Sequence, residues 1–554
     1  RIVDMGQNMV GWVRLRAAGP AGTTIRLRFG EVLNPDGSLY TENLRSAHQT
    51  DTFVLAGGGE ETFEPRFTFH GFRYVEVTGY PGELEPGAIT ARVVESATPA
   101  AGTFACSDPL VNQLHRNVVW GQRGNSLSIP TDCPQRDERL GWLADAQVFA
   151  RTACFNRDVA AFFTKWLEDV DDARSPEGAY PDVAPRLIDR ADGAPAWGDA
   201  GIILPWVLYL QYGDSRLIER HLPAMAGWLA WVGEANPDRL WRHRRGNDFG
   251  DWLSVDAETP KDLLATAFWA NSARLLARMA RAIGRGEDAA RHDALFDEIK
   301  AAFVAAYVDP DGRVAGETQT GYVLALAFDL LPADRRAAAA RHLVADIERR
   351  GDHLSTGFAG VSLLLPVLTE AGYPEVAYRL LCQEGFPSWG HMIRQGATTI
   401  WERWDGWTRE RGFQDPGMNS FNHYSLGAVG EWLYRYAAGN DADHDRPGFA
   451  HVLIRPRPGG GLTFARATYR SIRGTIASGW ERTDGAFTLR ITIPATSTAT
   501  VRLPAADPDA VTEGGQPAAT AEGVRFVGAE DGDAVFEVGS GDYLFRSPLR
   551  QPSA

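Results

Sequence analysis

Asp145-Ala146-Gln147-Val148-Phe149-Ala150-Arg151-Thr152-Ala153 carries apolar residues at i, i+3, i+4 and i+7, the spacing of one helical face. The same period surrounds Leu263 to Ile283, Ala289 to Tyr307 and Ala337 to Glu348. Loops bearing Gly and Pro interrupt it at spacings of roughly 25–35 residues, so the chain from about 105 to 438 reads as successive helix pairs. About 330 residues of paired helices exceed a four-helix bundle and fit either a solenoid or a closed ring. No recurring repeat sequence is visible, which counts against the common solenoid families.

On either side the period falls to two. Val10-Gly11-Trp12-Val13-Arg14-Leu15-Arg16, Thr24-Ile25-Arg26-Leu27-Arg28-Phe29 and Gly71-Phe72-Arg73-Tyr74-Val75-Glu76-Val77 alternate as strands. Turn signals at Ala18-Gly19-Pro20, Asn34-Pro35-Asp36-Gly37 and Gly57-Gly58-Gly59 separate them. Alternation returns in Phe487-Thr488-Leu489-Arg490-Ile491-Thr492-Ile493, Ala499-Thr500-Val501-Arg502-Leu503 and Ala534-Val535-Phe536-Glu537-Val538. The expected division is a β-sandwich over 1–100, a helical domain over 101–440 and a second β-sandwich over 441–554.

At 554 residues the chain is too long for one core. The 71 Asp and Glu outweigh the 56 Lys and Arg, giving a net charge of −15, a poor footprint for nucleic acid. No apolar run approaches the ~20 residues of a membrane span. Cys106, Cys133, Cys154 and Cys382 are too few for a disulfide scaffold and include no CxxC pair. Free-looking thiols lean towards a reducing compartment, and Cys133 reads as packing. The chain opens at Arg1 within a strand and shows no leader. A trimmed start could have lost one, so cytoplasmic and periplasmic locations both stand.

The charge-rich stretch is Pro130-Thr131-Asp132-Cys133-Pro134-Gln135-Arg136-Asp137-Glu138-Arg139-Leu140-Gly141-Trp142-Leu143-Ala144-Asp145, where a loop enters a helix. Carboxylates there can be held by Arg or by the helix N-terminus. With a helix start near Asp137, Glu138, Trp142 and Asp145 share one face. A salt-bridged surface turn explains the charges but leaves Trp142 between two acids. The second cluster, Gly396-Ala397-Thr398-Thr399-Ile400-Trp401-Glu402-Arg403-Trp404-Asp405-Gly406-Trp407, sets Glu402 among aromatic rings. Trp197-Gly198-Asp199, Asp248-Phe249-Gly250-Asp251-Trp252, Trp389-Gly390-His391 and Ser420-Phe421-Asn422-His423-Tyr424 add aromatic and polar residues at helix–loop junctions. Each is weak alone. Their recurrence is what a cleft at one end of a helical ring would give.

Seventeen Trp residues are many for this length, and although most are expected in the core, Trp also stacks on sugar faces. Glycoside hydrolysis needs two carboxyl groups, and Glu138 with Glu402 is the best pair. Asp and Arg would hydrogen-bond sugar hydroxyls. The twelve His show no HExxH or HxH spacing, and no GxSxG, Walker loop or dinucleotide fingerprint is present, so neither metal nor cofactor is expected. A polysaccharide lyase, a hydrolase of another sugar and a non-catalytic carbohydrate-binding protein remain rivals. Two Glu among Trp favour hydrolysis, and loss of one would have marked a dead site.

Asp132-Cys133-Pro134-Gln135-Arg136-Asp137-Glu138-Arg139-Leu140-Gly141-Trp142 resembles the signature of the bacterial α-L-rhamnosidases of glycoside hydrolase family 78. Thr399-Ile400-Trp401-Glu402-Arg403-Trp404, Phe421-Asn422-His423-Tyr424-Ser425 and the opening Asp4-Met5-Gly6-Gln7-Asn8-Met9-Val10-Gly11-Trp12 resemble the same family. The resemblance covers nearly the whole chain. It implies an (α/α)6 barrel with its site at one end and hydrolysis with inversion, releasing terminal α-L-rhamnose from a carbohydrate or a rhamnosylated small molecule. Glu138 would be the general acid and Glu402 the general base. Asp132, Arg136, Trp142, Asp145, Trp197, Trp252 and His423 would bind the sugar, with Asp251 and Trp389 as additions. An inverting pair lies roughly 6.5–9.5 Å apart, and its acid must keep a proton at working pH. Many members carry further β-domains before this point, so an accessory lectin-like module with calcium stays open.

Overall fold

The structure is a computed structural model that describes residues 1–188, 191–483 and 485–548. The period in Asp145–Ala153 falls within the helix Leu143–Asn156, where every residue except Arg151 is buried. Burial on all sides, rather than along one stripe, marks an inner helix. Five such helices, Leu143–Asn156, Ala200–Tyr212, Lys261–Ala282, Gln319–Ala327 and Phe358–Glu370, touch in chain order. The run 425–437 follows Phe358–Glu370 and touches Leu143–Asn156 again, so the layer closes into a ring. It is a ring and not a solenoid.

An outer layer packs against it. Its helices are Pro109–Gly124, Ala160–Asp172, Arg216–Ala235, Gly286–Tyr307, Ala333–Arg349 and Pro374–Leu381. These bury one face only. In Ala333–Arg349 the buried apolar residues Ala339, Ala340, Leu343, Val344 and Ile347 keep the helical period. Asp108 caps Pro109–Gly124, its carboxylate accepting from the amides of Leu110 and Val111. Among the described residues no helix is long and apolar enough to cross a membrane.

The N-terminal β-domain is a six-stranded antiparallel sheet. Its long strand Ile2–Ala18 pairs with His70–Thr78, Glu60–Phe63 and Ile89–Val93. Gly11 faces both His70 and Val93, at φ 153°, and a Cβ there would stand 1.8 Å from the Arg92 carbonyl oxygen. Only glycine lets the strand change partners at that point. Alternating inward residues such as Val13, Leu15, Ile25, Leu27 and Phe29 form this domain's core.

The C-terminal domain stacks a five-stranded and a seven-stranded sheet. Strand Phe464–Ser471 alternates buried and exposed residues cleanly, and Trp480, Phe487, Phe536 and Phe545 fill the space between layers. The edge strand of the larger sheet is Gly102–Cys106, which pairs with Phe464–Ser471. The chain therefore leaves the first sheet, adds a strand to the last, and then enters the helical ring. Cys106, Cys133, Cys154 and Cys382 are all free thiols.

Candidate active site

The inner helices aim their N-termini at one end of the ring, and the sequence clusters gather there. Trp142 and Asp145 start Leu143–Asn156, Trp197 precedes Ala200–Tyr212, Phe358 starts Phe358–Glu370, and His423 precedes the run 425–437. Helix N-termini favour acids, which suits the carboxyl-rich loops they face. The cavity at this end encloses ≈ 330 Å³. Its wall includes Glu138, Glu402, Asp132, Arg136, Trp142, Asp145, Trp197, Trp252 and His423.

Arg136 is the hub. Its side chain is 1% exposed, which an arginine tolerates only with its donors taken. Nη1 and Nη2 fork onto Glu402 at 2.8 and 3.1 Å, Nε donates to Glu138 at 3.0 Å, and Nη2 also meets Asp132 at 3.3 Å. Glu138 and Glu402, 264 positions apart in the chain, are thus separated by the width of one guanidinium. Glu138 accepts further hydrogen bonds from Trp142 Nε1 at 2.9 Å and Arg45 Nη1 at 3.1 Å. Glu402 accepts from the Ser420 amide at 2.9 Å, and Asp132 from the Leu140 amide at 2.8 Å.

The protonation states follow from this wiring. Burial pushes the Glu402 carboxyl up, but the charge and hydrogen bonds of Arg136, with the Ser420 amide, bring it below its ordinary value. Glu402 is therefore held as a carboxylate. Burial raises Asp132 to about 7. Burial and the Asp132 charge raise Asp145 well above the usual range. Burial lowers His423 to about 4, so the ring is neutral, with Nε2 3.1 Å from Asp145. His423 Nδ1 and Trp197 Nε1 are buried polar atoms on the cavity wall without a hydrogen-bond partner, an acceptor or donor ready for a ligand.

The aromatic wall is organised by Phe249. It lies 4.5 Å from Trp197, 5.7 Å from Trp142 and 5.8 Å from Trp252, between ring centroids. Sequence reading passed over Phe249 although it stands in Asp248-Phe249-Gly250-Asp251-Trp252. It also passed over Phe358, Met418 and Arg45, which line the cavity too. Nothing in Leu44-Arg45-Ser46 signals a site, because Arg45 comes from the N-terminal β-domain.

Two expected residues are not brought to the wall. Trp389 is 0% exposed, donates from Nε1 to the Leu426 carbonyl at 2.8 Å and packs edge-on against Trp404, so it is core. Asp251 turns inward, accepting from Thr320 Oγ1 and from the amides of Gly357 at 2.8 Å and Ala359 at 3.0 Å. It caps the helix Phe358–Glu370 from a distant loop and so fixes Trp252 beside that helix. A Cβ at Gly357 would stand 2.2 Å from the Trp252 carbonyl oxygen, which is why glycine sits at that contact.

Asp132, Cys133 and Glu138 bring possible ligand atoms within 4.8 Å of one another. The Arg136 guanidinium already bonds both carboxylates, and burial raises the Cys133 thiol, so the donor set fits an arginine better than a metal ion. A second hollow of ≈ 240 Å³ lies at the seam between the β-domain and the ring, bordered by Asn8, Glu31, Arg73, Trp407 and Phe413. Neither Glu138 nor Glu402 borders it.

The ring and its mouth define an (α/α)6 barrel with its cavity at one end. The bacterial α-L-rhamnosidase 6 hairpin glycosidase domain matches residues 99–437, the family's concanavalin-like domain 1–95 and its C-terminal domain 442–517. An α-L-rhamnosidase of Streptomyces avermitilis is 53% identical over 98% of this chain and 51% of its own length. The crystal structure of the Streptomyces avermitilis α-L-rhamnosidase complexed with L-rhamnose superposes with a TM-score of 0.95, at 52% identity over 98% of this chain and 52% of that one. The α-L-rhamnosidase from Dictyoglumus thermophilum gives a TM-score of 0.92, at 36% identity over 99% of this chain and 62% of that one. The chain belongs to the bacterial α-L-rhamnosidase family. It spans about half the length of the curated relatives it matches.

Proposed function

We propose that this chain hydrolyses terminal α-L-rhamnosides with inversion, Glu138 acting as general acid and Glu402 as general base. The observation that carries the reading is the arginine bridge: two carboxyl groups held on either side of Arg136 in a cup walled by indoles. L-Rhamnose is named in a relative's crystal structure, and that relative shares 52% of its sequence with this chain. The sugar would lie against Trp142, Trp197 and Trp252, with its hydroxyls on Asp132, His423 Nδ1 and Trp197 Nε1.

Glu138 has the more exposed carboxyl, with its side chain 11% exposed against 3% for Glu402, so it stands nearer the mouth, where the leaving group must exit. Its O–H gives a proton to the glycosidic oxygen as the C1–O bond breaks. Water attacks C1 from the other side, and its proton passes to the Glu402 carboxylate. Arg136 keeps Glu402 ionised for that task, and Ser420 orients it. Glu138→Gln and Glu402→Gln should each lower kcat on an aryl α-L-rhamnopyranoside by ~10²–10⁴-fold. Full activity in either variant removes that residue from its role. Rhamnose binding without any turnover would favour a binding protein instead.

A further inference from the structure

We propose that Arg45, supplied by the N-terminal β-domain, is a positioning residue for Glu138, so that this domain completes the active site. Arg45 reaches across the domain seam to three groups at once. Nε meets Asp137 at 2.7 Å, Nη1 meets Glu138 Oε2 at 3.1 Å, and Nη1 also donates to the Gly417 carbonyl at 3.2 Å. Ser46 holds the other oxygen of Asp137. Asp137 is drawn down to about 2 by the Ser46 hydroxyl and the Arg45 guanidinium, so it is a fixed anion that anchors Arg45 in place.

The backbone at Arg45 supports a site role. It holds φ 55° and ψ −118°, a conformation that non-glycine residues adopt at a cost and keep where the surroundings demand it. The side chain is 32% exposed and lines the cavity beside Met418, on the mouth side of Glu138. Arg136 grips Glu138 from the floor, and Arg45 grips the same oxygen from the rim.

The consequence for chemistry rests on the reading of Glu138 as proton donor. As the proton leaves, Glu138 changes from neutral acid to carboxylate, and a guanidinium already in place stabilises charge that develops in the transition state. The benefit grows with the extent of proton transfer. It is large for a poor leaving group, such as an alkyl or sugar alcohol, and small for a dinitrophenolate that departs with little help.

The test compares kcat/KM of the whole chain on a 2,4-dinitrophenyl and a methyl α-L-rhamnopyranoside, for wild type, Arg45→Ala, Arg45→Lys and Glu138→Gln. Circular dichroism confirms folding of each variant. Arg45→Ala should lose about 10–100-fold on the methyl glycoside and less than about 3-fold on the dinitrophenyl one. Arg45→Lys should recover only part, because a point charge cannot span Asp137, Glu138 and the Gly417 carbonyl together. Equal losses on both substrates in Arg45→Ala, with leaving-group dependence kept in Glu138→Gln, would make Arg45 merely structural and overturn the inference alone. No loss on either substrate overturns it as well. Equal losses in Glu138→Gln itself would sink the proton-donor assignment and the inference with it.

Discussion

Glu31→Gln isolates how the β-domain is coupled to the helical ring. Glu31 is 1% exposed and accepts from Asn8 Nδ2 at 3.0 Å, Asn43 Nδ2 at 3.0 Å and the Phe421 amide at 3.1 Å. Asn43 also donates to the Asn419 carbonyl, so the pair brackets Ser420, whose amide holds Glu402. Burial outweighs those hydrogen bonds and raises Glu31 from 4.5 to about 7. The folded protein therefore holds this proton more tightly than the unfolded chain does. The stability this confers is fully present below about 4.5 and is lost as the pH rises through about 7. At about 1.4 kcal/mol per pH unit, the gap is worth about 3 kcal/mol. Glutamine cannot titrate, so the variant lacks this slope. A constant offset from placing its amide among three donors is expected at every pH. Unfolding of wild type and variant should be followed by circular dichroism from pH 4 to pH 8.5. The stability difference should shift in favour of the variant by up to about 3 kcal/mol across that range, most of it between pH 5 and 7.5. A difference that stays constant with pH would show that Glu31 titrates alike in the folded and unfolded chain, and the argument from burial would be wrong.

Other perturbations separate the site from its scaffold. Arg136→Lys cannot reproduce the fork on Glu402 while reaching Glu138, so activity should fall by ~10²-fold or more and stability by roughly 3–5 kcal/mol, read by steady-state kinetics and urea unfolding. Trp197→Phe keeps a ring but removes the unpartnered Nε1, and should lower kcat/KM by about tenfold while leaving the melting temperature nearly unchanged. Trp389→Phe should do the reverse, costing about 1 kcal/mol with its bond to Leu426 while KM is unaltered, since the ring never reaches the cavity. Gly11→Ala forces a Cβ into the Arg92 carbonyl, and thermal unfolding should show a loss of more than about 2 kcal/mol.

The sequence reading succeeded where a local pattern carried the information. The run 132–142 concentrates a buried arginine and its acids within one loop, so the residues that meet at the hub are mostly neighbours in the chain. Helix and strand periods separated ring from sheets, because the outer helices and the strands each bury a definite face. The inner helices were the harder case. Ala200–Tyr212 is buried nearly all round, so its pattern has length but little period. Closure of the ring was left open by the helical period alone and was implied by the family resemblance, since it depends on the run 425–437 touching Leu143–Asn156. Asp251 and Trp389 were misplaced for a related reason. An aromatic beside Gly and Asp marks a tight junction, and whether the junction faces cavity or core is decided by distant partners such as Gly357 and Leu426. Arg45 was invisible because its partners lie 92, 93 and 372 positions away. Strand Gly102–Cys106, which pairs across to Phe464–Ser471, is another such long-range choice.

The most direct test of the account is the anomer first released from an aryl α-L-rhamnopyranoside, followed by proton NMR before mutarotation. Inversion by a water-activating Glu402 predicts β-L-rhamnose as the first product. Appearance of α-L-rhamnose first would keep the sugar but make Glu402 a nucleophile, contradicting the roles assigned to the pair across Arg136.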